Sequence, residues 1–201
     1  MKTAFCFDLD GTITKQEILP LLAKDLGLQE ELEVLTNATI SGLLPFSGSF
    51  KLRSRLLADI PISRAKAIVR QVELFEKIVS FIQQNKDCCF IVTGNLDVWI
   101  ADIVAGIGCS AYSSEACYSG DKLVGVAKII DKGDTIKVIA SKGFDRIIAI
   151  GDGMGDVEMF RQADVSVFFS ENQQPTGTLK ELCDYLVFDE LSLCKMLSAF
   201  L

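Results

Sequence analysis

Short runs of apolar residues recur along the chain, end in polar turns, and alternate with stretches of helical periodicity. The clearest run, Ala4 to Phe7, has aromatic or small residues throughout and no apolar–polar alternation. Such a run is typical of a strand that is buried on both faces of a parallel sheet. Similar runs at residues 88–92, 146–150, 165–169 and 185–188 predict further strands.

Helical patterns separate these strands, and the weak alternation from Tyr112 to Val126 around Ser119-Gly120-Asp121 predicts a hairpin. Because strands and helices alternate, the predicted fold is α/β, with a doubly wound parallel sheet as its core. The helices of this core are predicted at residues 74–84, 96–107, 132–141, 156–160 and 191–200.

The first strand is followed by roughly fifty residues of helical pattern before the second strand begins, whereas a direct crossover between parallel strands needs one helix. The helices are predicted at 16–26, 29–40, 46–58 and 63–68, with breaks at Gly42 and Pro45 and with Ser63 as an N-cap. We therefore predict an inserted helical cap at residues 14–74 and a catalytic core made of residues 1–13 and 75–201.

Composition removes several classes of function. The net charge of −7 argues against general nucleic-acid binding, which needs a basic face. No apolar stretch is long enough to predict a membrane span or a secretion signal. The seven cysteines, with no C-x-x-C, favour reduced thiols and a cytoplasmic protein. The chain has no histidine, which excludes a Ser-His-Asp triad and histidine-ligated zinc.

Polar side chains follow three of the predicted strands. Asp8 and Asp10 end the first strand, Thr93-Gly94-Asn95 ends the second, and Asp152 follows Gly151 at the end of the 146–150 strand. Ligands of open α/β sheets bind at the carboxyl ends of strands, so we expect these residues to share one pocket. Two acids as close as Asp8 and Asp10 need a cation between them or a shared proton. Asp8 and Asp152 are suitable ligands for a hard cation.

Groups that suit a phosphate are found in the same regions. The Thr93 hydroxyl, with the backbone N–H groups around it at Gly94 and Asn95, can hold a phosphate oxygen. Lys132, at the start of a predicted helix, can neutralise phosphate charge. Lys128 and Lys137 are alternative candidates, and each of these lysines taken alone can also be a solvent-exposed residue without a role in the site.

The order of these motifs resembles that of the haloacid dehalogenase superfamily of aspartate-nucleophile phosphohydrolases. Asp8-Leu9-Asp10-Gly11-Thr12, Thr93, Lys132 and the run Gly151-Asp152-Gly153-Met154-Gly155-Asp156 match its four motifs in turn. The resemblance implies Mg²⁺ as cofactor, held by Asp8, Asp152 and the backbone carbonyl of Asp10. It also implies Asp156 as a supporting residue at the metal or Lys132, and a small cap directly after the first motif.

Within the superfamily the chain most resembles the phosphoserine phosphatase family. By this resemblance Glu17, nine residues past Asp8, holds the substrate amino group, and Arg53, in a frame that begins at Phe46, holds its carboxylate. The family often has serine in place of Thr93 and glycine in place of Asn95.

These observations predict a Mg²⁺-dependent hydrolase of a small phosphomonoester such as O-phosphoserine. Asp8 is the predicted nucleophile, and Asp10 is the predicted acid and base. Two alternatives stay open: a phosphotransferase that passes the phosphoryl group to an acceptor alcohol, and a receiver-like protein that is phosphorylated as a switch. Receiver domains carry their phospho-acceptor on a middle strand and have no inserted cap, so motif order favours the enzyme.

Overall fold

The computed structural model describes residues 1–40 and 43–201, and in them the strands form one seven-stranded sheet in the order β4-β3-β2-β1-β5-β6-β7. All neighbouring strands are parallel except β3 and β4, which form the predicted antiparallel hairpin. The predicted α/β doubly wound fold is confirmed. The strands are β1 Thr3–Phe7, β2 Cys89–Leu96, β3 Ser110–Ser119, β4 Lys122–Lys128, β5 Arg146–Gly151, β6 Val165–Phe169 and β7 Tyr185–Val187.

Ten α-helices are found in the described residues, four of them between β1 and β2 before the core helix α5. The six-residue helix Gly177–Leu182 (α9) was not predicted. The helices are α1 Ile18–Leu26, α2 Gln29–Ile40, α3 Phe46–Leu56, α4 Ile62–Val69, α5 Glu76–Gln84, α6 Asp97–Ile107, α7 Lys132–Ala140, α8 Val157–Gln162, α9 Gly177–Leu182 and α10 Glu190–Ser198.

The sheet is covered on both faces, which explains why β1 is apolar from Ala4 to Phe7. Phe5 and Phe7 belong to one hydrophobic cluster, which includes residues of α1, α5, α6 and α10. Ala4 and Cys6 point to the other face and belong to a second cluster, with residues of α7, α8 and α9. All five residues of β1 are buried. A strand in this position can place side chains in a pocket only where it ends.

The chain leaves and re-enters the core at neighbouring points. Thr14 and Leu74 form an isolated antiparallel bridge, the Lys15 N–H donates to the Glu73 carbonyl at 2.8 Å, and the Phe75 N–H donates to the Ile13 carbonyl at 2.9 Å. These contacts between residues 13–15 and 73–75 lie at the predicted limits of the insert. They support the division into a core and a cap of residues 14–74, which stays a prediction.

One helix start differs from its prediction. Ser63 lies inside α4, whose N-cap position is occupied by Pro61, so the prediction of Ser63 as N-cap is wrong. The capping acceptor comes from the β3–β4 turn instead: Asp121 Oδ1 accepts the Ser63 N–H at 2.7 Å, and the Asp121 carbonyl accepts the Ile62 N–H at 2.8 Å. The break predicted at Gly42 lies outside the described residues.

Candidate active site

The carboxyl ends of β2, β1 and β5 lie side by side, because these three strands are neighbours in the sheet. One cavity of about 450 Å³ opens above them. Every site residue predicted from the sequence lines this cavity. They are Asp8, Asp10, Thr93, Gly94, Asn95, Lys132, Asp152 and Asp156 from the sheet side, and Glu17, Phe46 and Arg53 from the segment between β1 and β2.

Lys132 lies between two carboxylates on the floor of the cavity. Its Nζ is 2.6 Å from Asp8 Oδ1 and 2.7 Å from Asp156 Oδ1, and all three side chains are largely buried. Burial lowers the pKa of Lys132, but the charges and hydrogen bonds of Asp156 and Asp8 outweigh it, so the net shift is upward and the ammonium is held charged. The rival lysines pair elsewhere at the surface: Lys128 with Glu115, and Lys137 with Asp134.

The local fold explains how Lys132 reaches this position. Asp131 is the N-cap of α7, where its side chain accepts the Asp134 N–H at 2.8 Å, so Lys132 is the first helical residue. At Gly133 an added Cβ would lie 3.1 Å from the Glu158 carbonyl oxygen, so α7 and α8 approach closely there. That approach brings the first turn of α7 next to the turn that carries Asp156.

Asp156 organises the turn after β5. Its Oδ2 accepts the N–H groups of Asp152 and Gly153 at 3.1 and 3.2 Å, while its Oδ1 accepts from Lys132. The residue is 1% exposed. Its carboxylate therefore ties together Lys132 and the loop that presents Asp152.

Three carboxylates form a group that could hold a metal ion. Oxygen atoms of Asp8, Asp152 and Asp156 lie within 4.8 Å of one another. The Asp152 carboxylate has no hydrogen-bond or ion-pair partner among residues 1–40 and 43–201. Burial, with the charges of Asp156, Asp8 and Glu17, raises its pKa to about 9. Buried carboxylate oxygens with unbalanced negative charge suit a hard cation such as Mg²⁺, so the donor set fits the predicted cofactor.

The nucleophile candidate Asp8 is less perturbed than Asp152. Burial and the charge of Asp156 raise its pKa, Lys132 lowers it, and the net result is a pKa of about 7. A cation would add to the effect of Lys132 and favour the ionised form.

Asp10 lies in a different environment and is not part of the three-carboxylate group. Its Oδ1 accepts the Ile18 N–H at 3.1 Å, and its Oδ2 accepts from Asn95 Nδ2. Burial, with the charges of Glu17 and Asp8, raises its pKa well above the ordinary value. Its side chain is thus suited to carry a proton, and a metal contact through its backbone carbonyl stays a prediction.

Thr93 and Asn95 lie within β2, which continues to Leu96, so the strand does not end at Thr93-Gly94-Asn95 as predicted. Both side chains are buried. The Thr93 hydroxyl oxygen accepts the Asn95 N–H at 3.2 Å, which leaves the hydroxyl hydrogen available to donate into the cavity.

Glu17, Arg53 and Phe46 form the wall opposite the sheet. Partial removal from bulk water raises the pKa of Glu17, against the charges of Lys132 and Arg53, which lower it. Arg53 Nη1 donates to Thr36 Oγ1 at 3.4 Å, and its buried Nε has no partner in the described part of the chain. An added Cβ at Gly94 would lie 3.2 Å from the tip of the Phe46 ring, so α3 contacts β2 there.

Sequence reasoning missed other residues of the cavity. Gln173, Gln174 and Thr176 come from the loop after β6, and Thr36 comes from α2. The loop could have been found, because β6 is a predicted parallel strand and its polar exit follows the same strand-end rule. Thr36 carries no such signal, because its position depends on how α2 packs against α3.

Comparison with known proteins assigns the chain to a family. The sequence pattern of the haloacid dehalogenase-like hydrolases matches residues 5–161. The chain is 27% identical over 180 residues to a phosphoserine phosphatase of Methanocaldococcus jannaschii, covering 84% of this chain and 85% of the relative. It is 26% identical over 184 residues to human phosphoserine phosphatase, covering 84% and 82%.

Solved structures agree on the fold. A substrate-bound phosphoserine phosphatase superimposes with a TM-score of 0.83 at 24% identity, over 97% of both chains. A second phosphoserine phosphatase, with an analogue of a phospho-aspartyl intermediate, superimposes with a TM-score of 0.79 over 94% of this chain and 93% of that one, also at 24% identity. Among the described residues, no helix is both long and apolar enough to cross a membrane.

The family match spans the chain from β1 to α8 and contains Asp8, Asp10, Thr93, Lys132 and Asp152. The prediction of a hydrolase of this superfamily is confirmed. The chain belongs to the haloacid dehalogenase-like hydrolase family.

Proposed function

We propose that the chain is a Mg²⁺-dependent phosphomonoesterase that acts through an aspartyl-phosphate, with O-phosphoserine as the first candidate substrate. The proposal rests on one observation: residues suited to a phosphate and residues suited to an amino acid line the same cavity. Asp8, Lys132 and Thr93 suit a phosphate on the sheet side, and Glu17 and Arg53 suit an amino acid on the other. The names of the relatives from Methanocaldococcus jannaschii and human support the same reading.

In the proposed reaction a carboxylate oxygen of Asp8 attacks phosphorus, and the bond from phosphorus to the substrate alcohol oxygen breaks. Lys132 holds Asp8 in place and offers its positive charge to the phosphate, while Thr93 donates its hydroxyl hydrogen to a phosphate oxygen. Fixed donors of this kind stabilise the charge that develops during phosphoryl transfer.

Asp10 is the proposed acid and base. Its raised pKa supports a protonated carboxyl at neutral pH, which can give its proton to the leaving alcohol. The resulting carboxylate then takes a proton from the water that hydrolyses the phospho-enzyme, so Asp10 ends the cycle protonated again and Asp8 is released as a carboxylate.

Asp8 and Asp152 are the proposed carboxylate ligands of the cation, with Asp10 contributing its backbone carbonyl. Asp156 supports this set from behind, because its two oxygens are already engaged by Lys132 and by backbone N–H groups. When bound, Mg²⁺ would supply charge neutralisation for the phosphate oxygens and the acidic cluster.

The substrate assignment depends on the insert. Glu17 offers a carboxylate to an ammonium group, and Arg53 offers a planar set of N–H donors that matches a carboxylate. Phe46 stacks on Phe50, with ring centroids 5.7 Å apart, and supplies an apolar cover next to Gly94.

The seven cysteines, all of them free thiols, support a reducing compartment such as the cytoplasm.

The test is hydrolysis of a panel of phosphomonoesters by the purified chain with Mg²⁺, followed as release of inorganic phosphate. We expect turnover that depends on Mg²⁺ and prefers O-phosphoserine. Addition of acceptor alcohols to the same assay distinguishes a phosphotransferase, which would form new phosphomonoesters. Failure to hydrolyse any member of the panel would overturn the proposal, and turnover of another ester alone would overturn the substrate assignment.

A further inference from the structure

Asn95 lies between two side chains of the site and is 2% exposed. Its Nδ2 donates to Asp10 Oδ2 and also lies 3.3 Å from Thr93 Oγ1. One amide group therefore contacts both the side chain proposed to carry the proton and the side chain proposed to hold the phosphate.

The oxygen of the same amide makes no such contact. Asn95 Oδ1 is buried and has no hydrogen-bond partner among the described residues. A buried, unpaired amide oxygen lowers stability, because it gives up its hydrogen bonds to water. Packing alone does not account for an amide here, because an apolar side chain of similar size would avoid this cost.

The contacts of Asp10 show what the amide adds. Its two carboxyl oxygens are held from different parts of the chain: Oδ1 by the backbone N–H of Ile18 at the start of α1, and Oδ2 by Asn95 on β2. With the Ile18 contact alone the carboxyl group could turn about its last bond. With both contacts its plane is set relative to β2 and to Thr93.

We propose that Asn95 is a positioning residue that orients the Asp10 carboxyl toward the leaving oxygen of the substrate. This role differs from the substrate contact that the sequence predicted for Asn95, and it rests on the proposed function of Asp10 as acid and base. Asn95 then acts on proton transfer and not on binding of the phosphomonoester.

The experiment compares two substrates that differ in their need for a proton. The leaving group of the alkyl ester O-phosphoserine is the serine alcohol, which needs a proton from Asp10. The leaving group of p-nitrophenyl phosphate is a stable phenolate, which needs no proton. The parameter is kcat/KM, which covers the steps up to formation of the phospho-enzyme. For Asn95→Ala we expect kcat/KM for O-phosphoserine to fall by about 10²-fold, the size expected for a misplaced catalytic group.

The same variant should retain most of its kcat/KM for p-nitrophenyl phosphate, and KM for O-phosphoserine should stay close to the parent value. Asn95→Leu, which keeps a similar volume, loses the donor and adds no charge, should behave in the same way. The matched control is Asn85→Ala, since the Asn85 amide donates to the Phe81 carbonyl at 2.9 Å, outside the cavity. This control should leave both substrates unaffected.

A second measurement links Asn95 to Asp10 directly. In an Asp10→Asn background, Asn95→Ala should have no further effect on O-phosphoserine, because residues that act through one another are not additive. An equal loss on both substrates, an unchanged rate in Asn95→Ala, or full additivity with Asp10→Asn would overturn the proposal. Loss of folding in both Asn95 variants, seen by thermal melting, would assign Asn95 to stability and would also overturn it. Failure of the parent chain to hydrolyse O-phosphoserine would count against the proposed function instead.

Discussion

Gly11 and Asp152 lie against each other with no space for another carbon atom between them. A Cβ built at Gly11 would be 2.7 Å from the carboxyl carbon of Asp152, and Gly11 has a φ of +68°. The turn after β1 therefore requires glycine at this position for two reasons. The backbone is in the left-handed region, and a side chain would overlap the Asp152 carboxylate. The two proposed metal-binding loops are fitted to each other at this contact.

We predict that Gly11→Ala weakens Mg²⁺ binding, because the new methyl group displaces Asp152. The measurement is the increase in melting temperature with Mg²⁺ concentration, and we expect the variant to need more Mg²⁺ for half of the increase. Gly155→Ala is the matched control, since a Cβ there meets no atom within 4 Å. An unchanged Mg²⁺ titration in Gly11→Ala would contradict the fitted arrangement of the two loops.

Replacement of the nucleophile should abolish turnover while the fold is retained. In Asp8→Asn the amide keeps the shape of the side chain but loses its nucleophilic oxygen, and Lys132 keeps its ion pair with Asp156. Asp10→Asn should lower turnover by about 10²–10⁴-fold, as expected for loss of acid and base assistance. Steady-state phosphate release measures both variants.

The control for these two variants is Asp189→Asn. Asp189 is the N-cap of α10, where asparagine caps about as well as aspartate, so activity and melting temperature should both be kept. Near-normal turnover by Asp8→Asn would disprove the aspartyl-phosphate route.

Without a cation the protein should lose stability as pH rises. The pKa of Asp152 is about 9 in the folded protein, against an ordinary value of 3.8. Between these values the folded state keeps a proton that the unfolded state releases, so the free energy of unfolding decreases from about pH 4 to pH 9. Melting temperatures in a chelator should fall across this range.

Mg²⁺ should offset that loss, because a cation binds the ionised carboxylates of the folded state alone. We expect the increase in melting temperature on adding Mg²⁺ to be larger at pH 8 than at pH 5. Asp152→Asn should reduce the pH dependence in the chelator, with a remainder from the raised pKa values of Asp8 and Asp10, and should remove most of the response to Mg²⁺. A parent protein whose Mg²⁺ response does not vary with pH would contradict the raised pKa.

Arg53 should distinguish substrates by their carboxylate. A hydrogen bond to a charged group contributes about 1.5–3 kcal/mol, so Arg53→Ala should lower kcat/KM for O-phosphoserine by about 10- to 150-fold. Phosphoethanolamine, which lacks the carboxylate, should be almost unaffected. Arg55→Ala, on the same helix but exposed, should change neither substrate. If Arg53→Ala loses both substrates equally, Arg53 does not bind a carboxylate.

Much of this protein could be predicted from local patterns in the sequence. The apolar runs at β1, β5 and β6 mark strands that are buried on both faces, because no solvent-facing side imposes a polar alternation. The acids that follow β1 and β5 and the Thr93 hydroxyl of β2 were assigned to one pocket, because parallel strands bring their carboxyl ends to the same edge of the sheet.

Other features depend on contacts between distant parts of the chain. Lys132 was predicted with Lys128 and Lys137 as rivals, and the close approach of α7 and α8 is what brings Lys132 to Asp8 and Asp156. The N-terminus of α4 is capped by Asp121 from the β3–β4 turn and not by the nearer Ser63.

The side chains of the first motif illustrate the same division. The spacing of Asp8 and Asp10 was enough to predict a paired acid site, because only Leu9 separates them directly after the strand. The spacing did not determine that Asp8 would face Lys132 while Asp10 would face Asn95 and Ile18. That difference arises because α7 brings Lys132 to Asp8, whereas β2 and the start of α1 bring Asn95 and Ile18 to Asp10. Two chemically identical carboxyl groups thereby gain different partners and different pKa values.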